Sequence, residues 1–408
     1  MKITYGEVFA GIGSAVAAFQ PLGWENRYFI ENKTTALAQY LYNWDTNFRD
    51  VVNSRPGLTY KQLLEMAFLW PNSAKYTDIV NVNLDLVRYP QMRDSFEVDV
   101  AMTSPPCQSF SVAGKRGGLE IEEKGDLFFE THLFLEKTLP KVFILENVPG
   151  MMTLEEDRRY DDLAIERACK DRDDVFTMNP QLFRFNKKER NTFYDIILPS
   201  LGISANNTKY DEVKHIYVWR AMEDRVVKLR PLPYNLYFTK VRASDFGSPM
   251  FRERLFLIGF RSDLKVSRVN WSIPRIKAKD ILKYVEPERN YSNDFRFDIF
   301  VPNTPTGISA RLAKKVVTSS GLVNEKNQPI NKYINTFLTK VDARKTVIRN
   351  RNGLYRSFAD EQMRRLMGFP DYFRNDVVSY SANHVHYGNA IYVPALNHIG
   401  KIIQRVLR

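Results

Sequence analysis

The chain begins with an alternation of short apolar runs and helix-like segments, and this order limits the folds open to it. Two segments, SAVAAFQPLG (14–23) and GDLFFETHLFLEKTLP (125–140), have the apolar spacing of helices. They separate runs with the composition of strands: ITYGEVF (3–9), NRYFIE (26–31), VDVAM (98–102) and KVFILE (141–146). The alternation predicts an α/β fold with a parallel sheet. Ligands bind at the carboxyl ends of such strands, which fall here at Phe9, Glu31, Met102 and Glu146.

Composition and charge exclude several classes of protein. With 408 residues, 44% of them hydrophobic, the chain can bury a substantial core. No apolar run approaches the roughly 20 residues of a membrane span, and the first residues lack a signal peptide, so we expect a cytoplasmic protein. Two cysteines, Cys107 and Cys169, are too few for a disulfide framework.

Positive charge is concentrated downstream. The net charge is +12, and RKTVIRNRNGLYR (344–356) contains five basic residues and no acid. Basic residues that replace counterions around phosphates bind nucleic acid, although a generally basic surface would also give this charge. Arg344, Arg349 and Arg351 are therefore candidate contacts to DNA.

The pattern changes divide the chain into three parts. Residues 1–261 are expected to form the first, α/β domain with insertions near 50–75 and 155–235. The polar, basic, turn-rich region 262–354 is expected to form a small second domain. Residues 355–408 are expected to return to the first domain, with a helix N-capped by Asp360 and a final amphipathic helix.

A glycine loop and an acid point to a nucleoside site. Gly11 and Gly13 in FAGIGS follow the first strand, and Glu31 ends the second, where a carboxylate can bind both hydroxyls of a ribose. The third glycine of a dinucleotide fingerprint is absent, which favours an adenosine compound other than NAD. In TDIVNVN, Asp78 could accept from an adenine amino group and Ile79 could pack on the ring, or the stretch could be an ordinary strand end.

The stretch TSPPCQSFS (103–111) holds a cysteine behind two prolines. Pro105 and Pro106 restrict the backbone before Cys107, on a polar loop that does not resemble the apolar setting of a structural cysteine. A thiolate held in this way is a candidate nucleophile, provided that its surroundings stabilise the anion.

Two further motifs could complete the chemistry. Glu146 ends an apolar strand in ENVPG, where desolvation would let it hold or donate a proton near neutral pH, or it could simply cap the following turn. Arg252 and Arg254 in FRERLFLIG alternate onto one face and could hold negative charge, as could a solvated sheet edge. His384 and His386 have no further ligand motif beside them, so no metal is predicted.

In this order the motifs resemble the cytosine carbon-5 DNA methyltransferase family. The matching blocks are FAGIGS, Glu31, TDI, SPPCQSFS, GDLFF, ENV, RERLFLIG, RRLMGFPDYF and YGNAIYVPAL. The resemblance implies a Rossmann-like S-adenosylmethionine-dependent methyltransferase domain with a smaller, irregular target-recognition domain. It also implies methyl transfer from S-adenosylmethionine to carbon 5 of a cytosine flipped out of a specific duplex DNA sequence.

By this resemblance, Cys107 is the thiolate that adds to carbon 6 of the base. Glu146 would protonate or hydrogen-bond ring nitrogen 3, Asn147 would position the loop, and Arg252 and Arg254 would steady the base and the surroundings of Cys107. The cofactor site would be lined by Phe9, Gly11, Gly13, Glu31, Asp78, Ile79, Pro105 and Asn389. The loop with Ser109, Lys115 and Arg116 would close over the DNA.

The sequence departs from the family pattern at Met250, where a glutamine is usual, in DEQMRR before the GFP-like motif, and in the two enlarged segments near 50–75 and 155–235. None of these changes removes a catalytic residue. Two alternatives stay open: a tRNA cytosine-5 methyltransferase, and a catalytically silent DNA-binding relative. The resemblance also implies a monomer from a prokaryotic or phage modification system with a cognate restriction endonuclease, or a nuclear protein if the source is eukaryotic.

Overall fold

A computed structural model gives the fold of the chain. It describes residues 2–72, 74–106, 126–153, 197–204, 218–222, 225–229, 231–266, 269–285, 299–300, 315–324, 326, 328–330, 333–335, 347–349 and 355–408. Among these residues, no helix is both long and apolar enough to cross a membrane.

The described helices and strands follow one another as the sequence predicts for an α/β protein. The helices are α1 (Ser14–Phe19), α2 (Thr34–Trp44), α3 (Thr46–Asn53), α4 (Tyr60–Leu69), α5 (Ile79–Arg88), α6 (Asp126–Thr138), α7 (Leu198–Leu201), α8 (Asp360–Met367), α9 (Tyr380–Asn389) and α10 (Val393–Leu407). The strands are β1 (Thr4–Val8), β2 (Glu25–Ile30), β3 (Lys75–Tyr76), β4 (Val100–Thr103), β5 (Val142–Asn147), β6 (Ile203–Ser204), β7 (Val218–Met222), β8 (Arg225–Leu229), β9 (Tyr234–Arg242), β10 (Met250–Phe251), β11 (Glu253–Arg261), β12 (Ile299–Phe300), β13 (Val316–Thr318), β14 (Gly321–Val323), β15 (Ile334–Asn335), β16 (Val347–Arg349) and β17 (Tyr355–Arg356).

The central sheet has eight strands in the order β3-β2-β1-β4-β5-β11-β9-β6. Its first five strands run parallel, and β11 runs antiparallel between β5 and β9. Val8 pairs with both Ile30 and Thr103, and Thr103 pairs with Leu145. The carboxyl ends of β1, β2, β4 and β5 therefore meet at one edge, as the sequence predicts.

Helices cover both faces of this sheet, so alternate residues of its central strands enter different cores. Ile144 of β5 packs in one cluster with Phe19 of α1 and Ile399 of α10. Its neighbours Phe143 and Leu145 belong to the opposite cluster, which includes Phe128 and Phe129 of α6. The predicted return of the C-terminal segment to the first domain is the packing of α10 on α1.

One local prediction was wrong. Asp360 does not cap its helix, because α8 begins at Asp360 and the side chain of Gln362 accepts a hydrogen bond from the backbone N–H of Ala359 (3.0 Å). The stretch TDIVNVN directly follows the end of β3 at Tyr76, and Asp78 is the N-cap of α5, where its carboxylate accepts from the backbone N–H of Val80 (2.9 Å).

A second sheet lies in the downstream region, with the order β12-β17-β16-β13-β14. Outside this sheet, β15 pairs in parallel with β10 to form a separate two-stranded sheet. Residues 269–285 pack on the first domain, since Val269, Ile281 and Val285 share a hydrophobic cluster with β5 and α10. The division at residues 261 and 354 stays a prediction.

Candidate active site

A cavity of about 260 Å³ opens at the edge where the four strand ends meet. Its lining combines the β1–α1 loop, the ends of β2, β4 and β5, Arg254 of β11 and the end of α9. The predicted cofactor residues in this lining are Phe9, Gly11, Glu31, Pro105 and Asn389. The lining also contains Glu146, so residues predicted for cofactor and for chemistry share one space.

The β1–α1 loop turns sharply because three of its residues have positive φ. The angles are 60° at Phe9, 58° at Gly11 and 84° at Gly13, a region that glycine adopts without strain and phenylalanine rarely enters. Gly13 does not line the cavity. A Cβ atom at Gly13 would lie 2.2 Å from Nε1 of Trp44, which donates to the carbonyl of Ile12 (3.0 Å). Gly13 is thus required by packing behind the loop.

Glu31 is held at the cavity wall by two backbone donors. Its Oε2 accepts from the N–H of Gly11 (2.7 Å), and its Oε1 accepts from the N–H of Lys33 (2.8 Å). Burial raises the pKa of Glu31, and these two hydrogen bonds oppose that rise. Each carboxylate oxygen has capacity for another donor, which suits the two hydroxyls of a ribose.

Asp78 and Ile79 lie outside the cavity lining. Asp78 caps α5, and Ile79 is buried in a cluster with Val8 and Ile30. Asp78 therefore stabilises a helix end and Ile79 contributes to the hydrophobic core. Their contact with an adenine ring stays a prediction.

Glu146 makes the central polar contacts of the site. Its carboxylate pairs with Nε of Arg254 (3.0 Å) and accepts from the hydroxyl of Ser104 (2.6 Å), and only 4% of Glu146 is exposed. The three side chains come from β5, β11 and the end of β4, so the sheet itself fixes their positions. A buried carboxylate with one cation and one hydroxyl can orient a polar ligand and exchange a proton with it.

The backbone around Pro105 is tied to the end of β5. Asn147 donates from Nδ2 to the carbonyl of Pro105 (3.2 Å), and its Oδ1 accepts from the N–H of Val148 (2.8 Å). Pro106 lines the cavity and directly precedes Cys107. Cys107 lies outside the described residues, as do Ser109, Lys115, Arg116, Arg344 and Arg351, whereas Arg349 lies in β16.

The two arginines predicted to act together have different surroundings. Arg254 lines the cavity, but Arg252 does not. Arg252 is 1% exposed, and its Nη2 donates to the carbonyls of Gly388 (3.0 Å) and Ala390. It therefore joins the start of β11 to the segment that carries Asn389.

His386 is a cavity residue whose role the sequence did not indicate. Its Nδ1 lies 2.7 Å from Oε1 of Gln39 and its Nε2 lies 3.0 Å from the hydroxyl of Thr35. Burial, with a smaller effect from Lys33, lowers the pKa of His386 to about 3, so the ring is neutral. Both nitrogens are engaged, and the described residues contain no group of three or more metal-binding side chains.

Glu7 is a second unexpected cavity residue, placed inside β1. Its Oε1 accepts from the hydroxyl of Tyr40 (2.8 Å) and from Nδ2 of Asn26 (2.9 Å). Burial raises the pKa of Glu7 to about 8 despite these donors. The sequence could have indicated this residue, because burying a carboxylate in an apolar strand costs free energy unless the group is hydrogen-bonded or protonated.

Comparison with known proteins places these features in context. The model of the family described as C-5 cytosine-specific DNA methylase matches residues 3–166 and 212–405. Type II methyltransferase M.HpaII of Haemophilus parainfluenzae is 24% identical over 98% of this chain and 89% of its own length. Type II methyltransferase M.BsuFI of Bacillus subtilis is 22% identical over 100% of this chain and 74% of its own length.

Solved structures show the same fold. The S. pombe Dnmt2 methyltransferase aligns over 100% of this chain and 99% of its own, with a TM-score of 0.55 and 14% identity. The Entamoeba histolytica methyltransferase EhMeth gives a TM-score of 0.54 at 12% identity, over 100% of this chain and 99% of its own. The predicted Rossmann-like methyltransferase fold is thereby confirmed.

Proposed function

Because the chain belongs to the C-5 cytosine-specific DNA methylase family, we propose how its own residues perform that family's reaction. The chain is a DNA (cytosine-5) methyltransferase that uses S-adenosylmethionine as its cofactor. The observation that carries the proposal is the shared cavity: Glu31 and the glycine loop occupy one part of its wall, and the Glu146–Arg254 pair occupies another.

The residues at the glycine loop fit an adenosine-containing cofactor. When bound, S-adenosylmethionine supplies an electrophilic methyl group on a sulfonium. Glu31 would accept from the ribose hydroxyls, because its two oxygens already face the cavity and are fixed by Gly11 and Lys33. Phe9, Pro105 and Asn389 would complete the walls. Neutral His386 would hold α9 against α2, which carries Thr35 and Gln39.

The chemistry at the base would be divided among four residues. The Cys107 thiolate adds to carbon 6 of the cytosine, which makes carbon 5 nucleophilic. Carbon 5 would then take the methyl group as the bond between that methyl and the sulfonium sulfur breaks, which releases the neutral thioether. A base would remove the carbon-5 proton, the bond between carbon 6 and the Cys107 sulfur would break, and the thiolate would leave. Glu146 hydrogen-bonds or protonates ring nitrogen 3, while Arg254 holds Glu146 in place. Asn147 fixes the backbone that leads to Cys107.

DNA is the substrate of this family. The cytosine would be extruded from a specific duplex sequence, since its ring carbons are inaccessible in stacked DNA. Ser109, Lys115, Arg116, Arg344, Arg349 and Arg351 are the proposed contacts to it. The downstream part, 262–354, would recognise the sequence, with the protein acting as a monomer beside a cognate restriction endonuclease.

The decisive experiment traps the covalent adduct. Duplex DNA that carries 5-fluorocytosine at the methylated position is incubated with protein and S-adenosylmethionine. Fluorine replaces the proton that must leave, so the active protein is expected to remain bound through denaturing electrophoresis. The target is identified beforehand by sequencing DNA methylated during expression.

Two variants separate the proposed roles. Cys107→Ser is expected to bind cofactor normally and to form no adduct. Glu146→Gln is expected to form the adduct at least about 100-fold more slowly, because it loses the proton-exchanging carboxyl. An adduct that forms with Cys107→Ser, or methylation that proceeds at the normal rate without Glu146, would contradict the assignment.

A further inference from the structure

Two aromatic side chains are exposed together where β10, directly before β11, pairs with β15 of the downstream region. Phe251 of β10 is 44% exposed and Tyr333, just before β15, is 40% exposed. Their ring centroids are 6.3 Å apart with an interplanar angle of 30°. The guanidinium carbon of Arg242 lies 5.6 Å from the centroid of the Phe251 ring. We call Phe251, Tyr333 and Arg242 the aromatic patch.

The patch is held by backbone pairing between β10 and β15. Met250 and Phe251 pair with Ile334 and Asn335, so the two aromatic rings come from opposite sides of the junction between the parts of the chain. Met250 and Ile334 are fully buried beneath it. Phe251 lies three residues before Arg254, which pairs with Glu146 in the cavity. The patch is therefore held by strand pairing and lies close in sequence to the proposed chemistry.

The charges around the patch favour a polyanionic partner. Arg242 is about half exposed, and it is paired with Glu253 (2.8 Å) on the neighbouring strand. Lys240 is exposed two residues before Arg242 on the same strand, and so on the same side of the sheet. Lys315 donates to the backbone carbonyl of Tyr333. Cations beside half-exposed aromatic rings are the composition of a nucleic-acid contact.

We propose that the aromatic patch packs against the deoxyribose-phosphate backbone of duplex DNA next to the extruded cytosine. The rings contact the apolar faces of the sugars, and Arg242 and Lys240 lie near the phosphates. This inference rests on the proposed function, since it takes DNA as the substrate. A backbone contact positions the duplex and carries no sequence information of its own.

The test compares the double variant Phe251→Ala/Tyr333→Ala with the wild type. Fluorescence anisotropy measures the affinity of each protein for two labelled duplexes, one with the methylated sequence and one without it. The double variant is expected to bind both duplexes roughly tenfold more weakly, with an unchanged affinity for S-adenosylmethionine. Tyr60→Ala is the matched control, because Tyr60 is 45% exposed on α4, and it is expected to bind like the wild type.

Two charge variants are expected to change DNA binding in specific ways, namely tighter binding and a smaller salt dependence, that a misfolded protein would not show. Glu253→Gln removes the acid that competes for Arg242, so it is expected to bind both duplexes a few-fold more tightly. Arg242→Gln is expected to lower the slope of log K against log salt concentration by about one. Should the double alanine variant fail to fold, Phe251→Leu and these two charge variants decide the matter.

Failure of this inference is distinguishable from failure of the proposed function. If the wild type methylates DNA and the double variant binds as tightly as Tyr60→Ala, the patch is not a DNA contact. Weaker binding to the target duplex alone would replace the backbone contact by stacking on an unpaired base, and would overturn the proposal. A wild type that transfers no methyl group to any duplex would overturn the proposed function itself.

Discussion

At the scale of single residues, the environment of Glu7 differs strongly from that of a solvated carboxyl. It is fully buried in β1, where its carboxylate accepts from two neutral donors, Tyr40 and Asn26. Burial raises its pKa to about 8. The folded protein therefore holds a proton on Glu7 at pH values where the unfolded chain has lost it.

This difference predicts a pH dependence of stability. Below about pH 4.5 both states are protonated, and the contribution of Glu7 is fully present. Between pH 4.5 and about 8 the free energy of unfolding is expected to fall as pH rises, by up to about 1.4 kcal/mol per pH unit from this residue alone. Denaturant unfolding from pH 5 to 9 measures the slope.

The variant Glu7→Gln isolates that contribution. It keeps an oxygen that can accept from Tyr40 and Asn26 but cannot ionise, so its stability is expected to fall less steeply over the same range. The difference in slope is the readout, because a constant offset from imperfect hydrogen bonding does not affect it. Parallel pH profiles for the two proteins would contradict the buried, protonated state of Glu7.

Some site residues could be predicted from the sequence because their positions follow from local rules. Glu31 and Glu146 end apolar strands, and the parallel sheet brings such ends to one edge. Arg252 and Arg254 could not be told apart, since both fit the same alternation. What separates them is contact with Gly388 and Ala390, which are more than 130 residues away in the chain.

At the scale of elements, the β1–α1 loop shows that its two glycines serve different purposes. Gly11 has φ of 58° with nothing within 4 Å of the position that a Cβ atom would take, whereas a Cβ at Gly13 would collide with the ring of Trp44. Gly11→Ala is expected to destabilise the cofactor-free protein by about 1 kcal/mol through backbone strain alone. Gly13→Ala is expected to cost about 3 kcal/mol or more, because the loop or Trp44 must also move.

Thermal unfolding of both variants without cofactor measures this difference. Gly13→Ala is also expected to weaken cofactor binding, since the Trp44 indole supports the carbonyl of Ile12 in the cavity wall. Equal losses of stability in the two variants would show that the Trp44 contact does not shape the loop.

The start of β11 gives a second element-level prediction, based on Arg254 in that strand and Arg252 directly before it. Arg252→Met leaves the buried carbonyls of Gly388 and Ala390 without that donor, and a stability loss of about 3 kcal/mol is expected. Arg254→Met is also expected to lose stability, because it leaves the buried Glu146 carboxylate without its cation, and it alone is expected to reduce kcat, by roughly 100-fold. Unfolding curves and steady-state kinetics on both variants provide the check; the reverse pattern would exchange the two roles.

The presence of several strands and helices was easier to predict from the sequence than the residues at which they begin and end. Strands β1, β2, β4 and β5 and helices α1, α6, α8 and α10 follow from periodicity, which is a property of neighbouring residues, whereas helices α2, α4, α5 and α9 were not predicted. The capping of α8 depends on which side chain reaches which N–H, and Asp360 instead accepts from Asn383 of α9 (2.8 Å). Asp360 therefore contacts a residue of another helix instead of capping its own, and a rule based on neighbouring residues could not predict this.

At the scale of the whole molecule, the cavity is closed by residues from both ends of the chain. The hydroxyl of Ser14 accepts from the N–H of Ile391 (3.2 Å), and Asn397 donates to the carbonyl of Ala18 (2.7 Å). The apolar pattern of α10 predicts that it packs on the first domain, but a pattern does not specify the partner helix. The register against α1 is set by shape, since Gly400 lies where Phe19 and Leu22 leave no space for a side chain.

This contact predicts a remote effect on cofactor binding. A Cβ at Gly400 would lie 2.8 Å from Leu22 and 2.9 Å from Phe19, so Gly400→Leu must separate α10 from α1. Overpacking of this kind is expected to cost about 2 kcal/mol of stability. Because the segment before α10 carries Asn389 and Ile391 into the cavity wall, the affinity for S-adenosylmethionine is expected to fall as well, although Gly400 itself does not line the cavity.

Calorimetric titration with the cofactor and thermal unfolding test this effect, with Lys401→Leu as the control. Lys401 is the next residue of the same helix and is exposed, so its variant adds the same side chain without meeting α1. If Gly400→Leu loses stability but binds cofactor like Lys401→Leu, the C-terminal helix supports the fold without positioning the cavity wall. A joint loss of stability and affinity in Gly400→Leu alone means that the two ends of the chain must pack together for the site to exist.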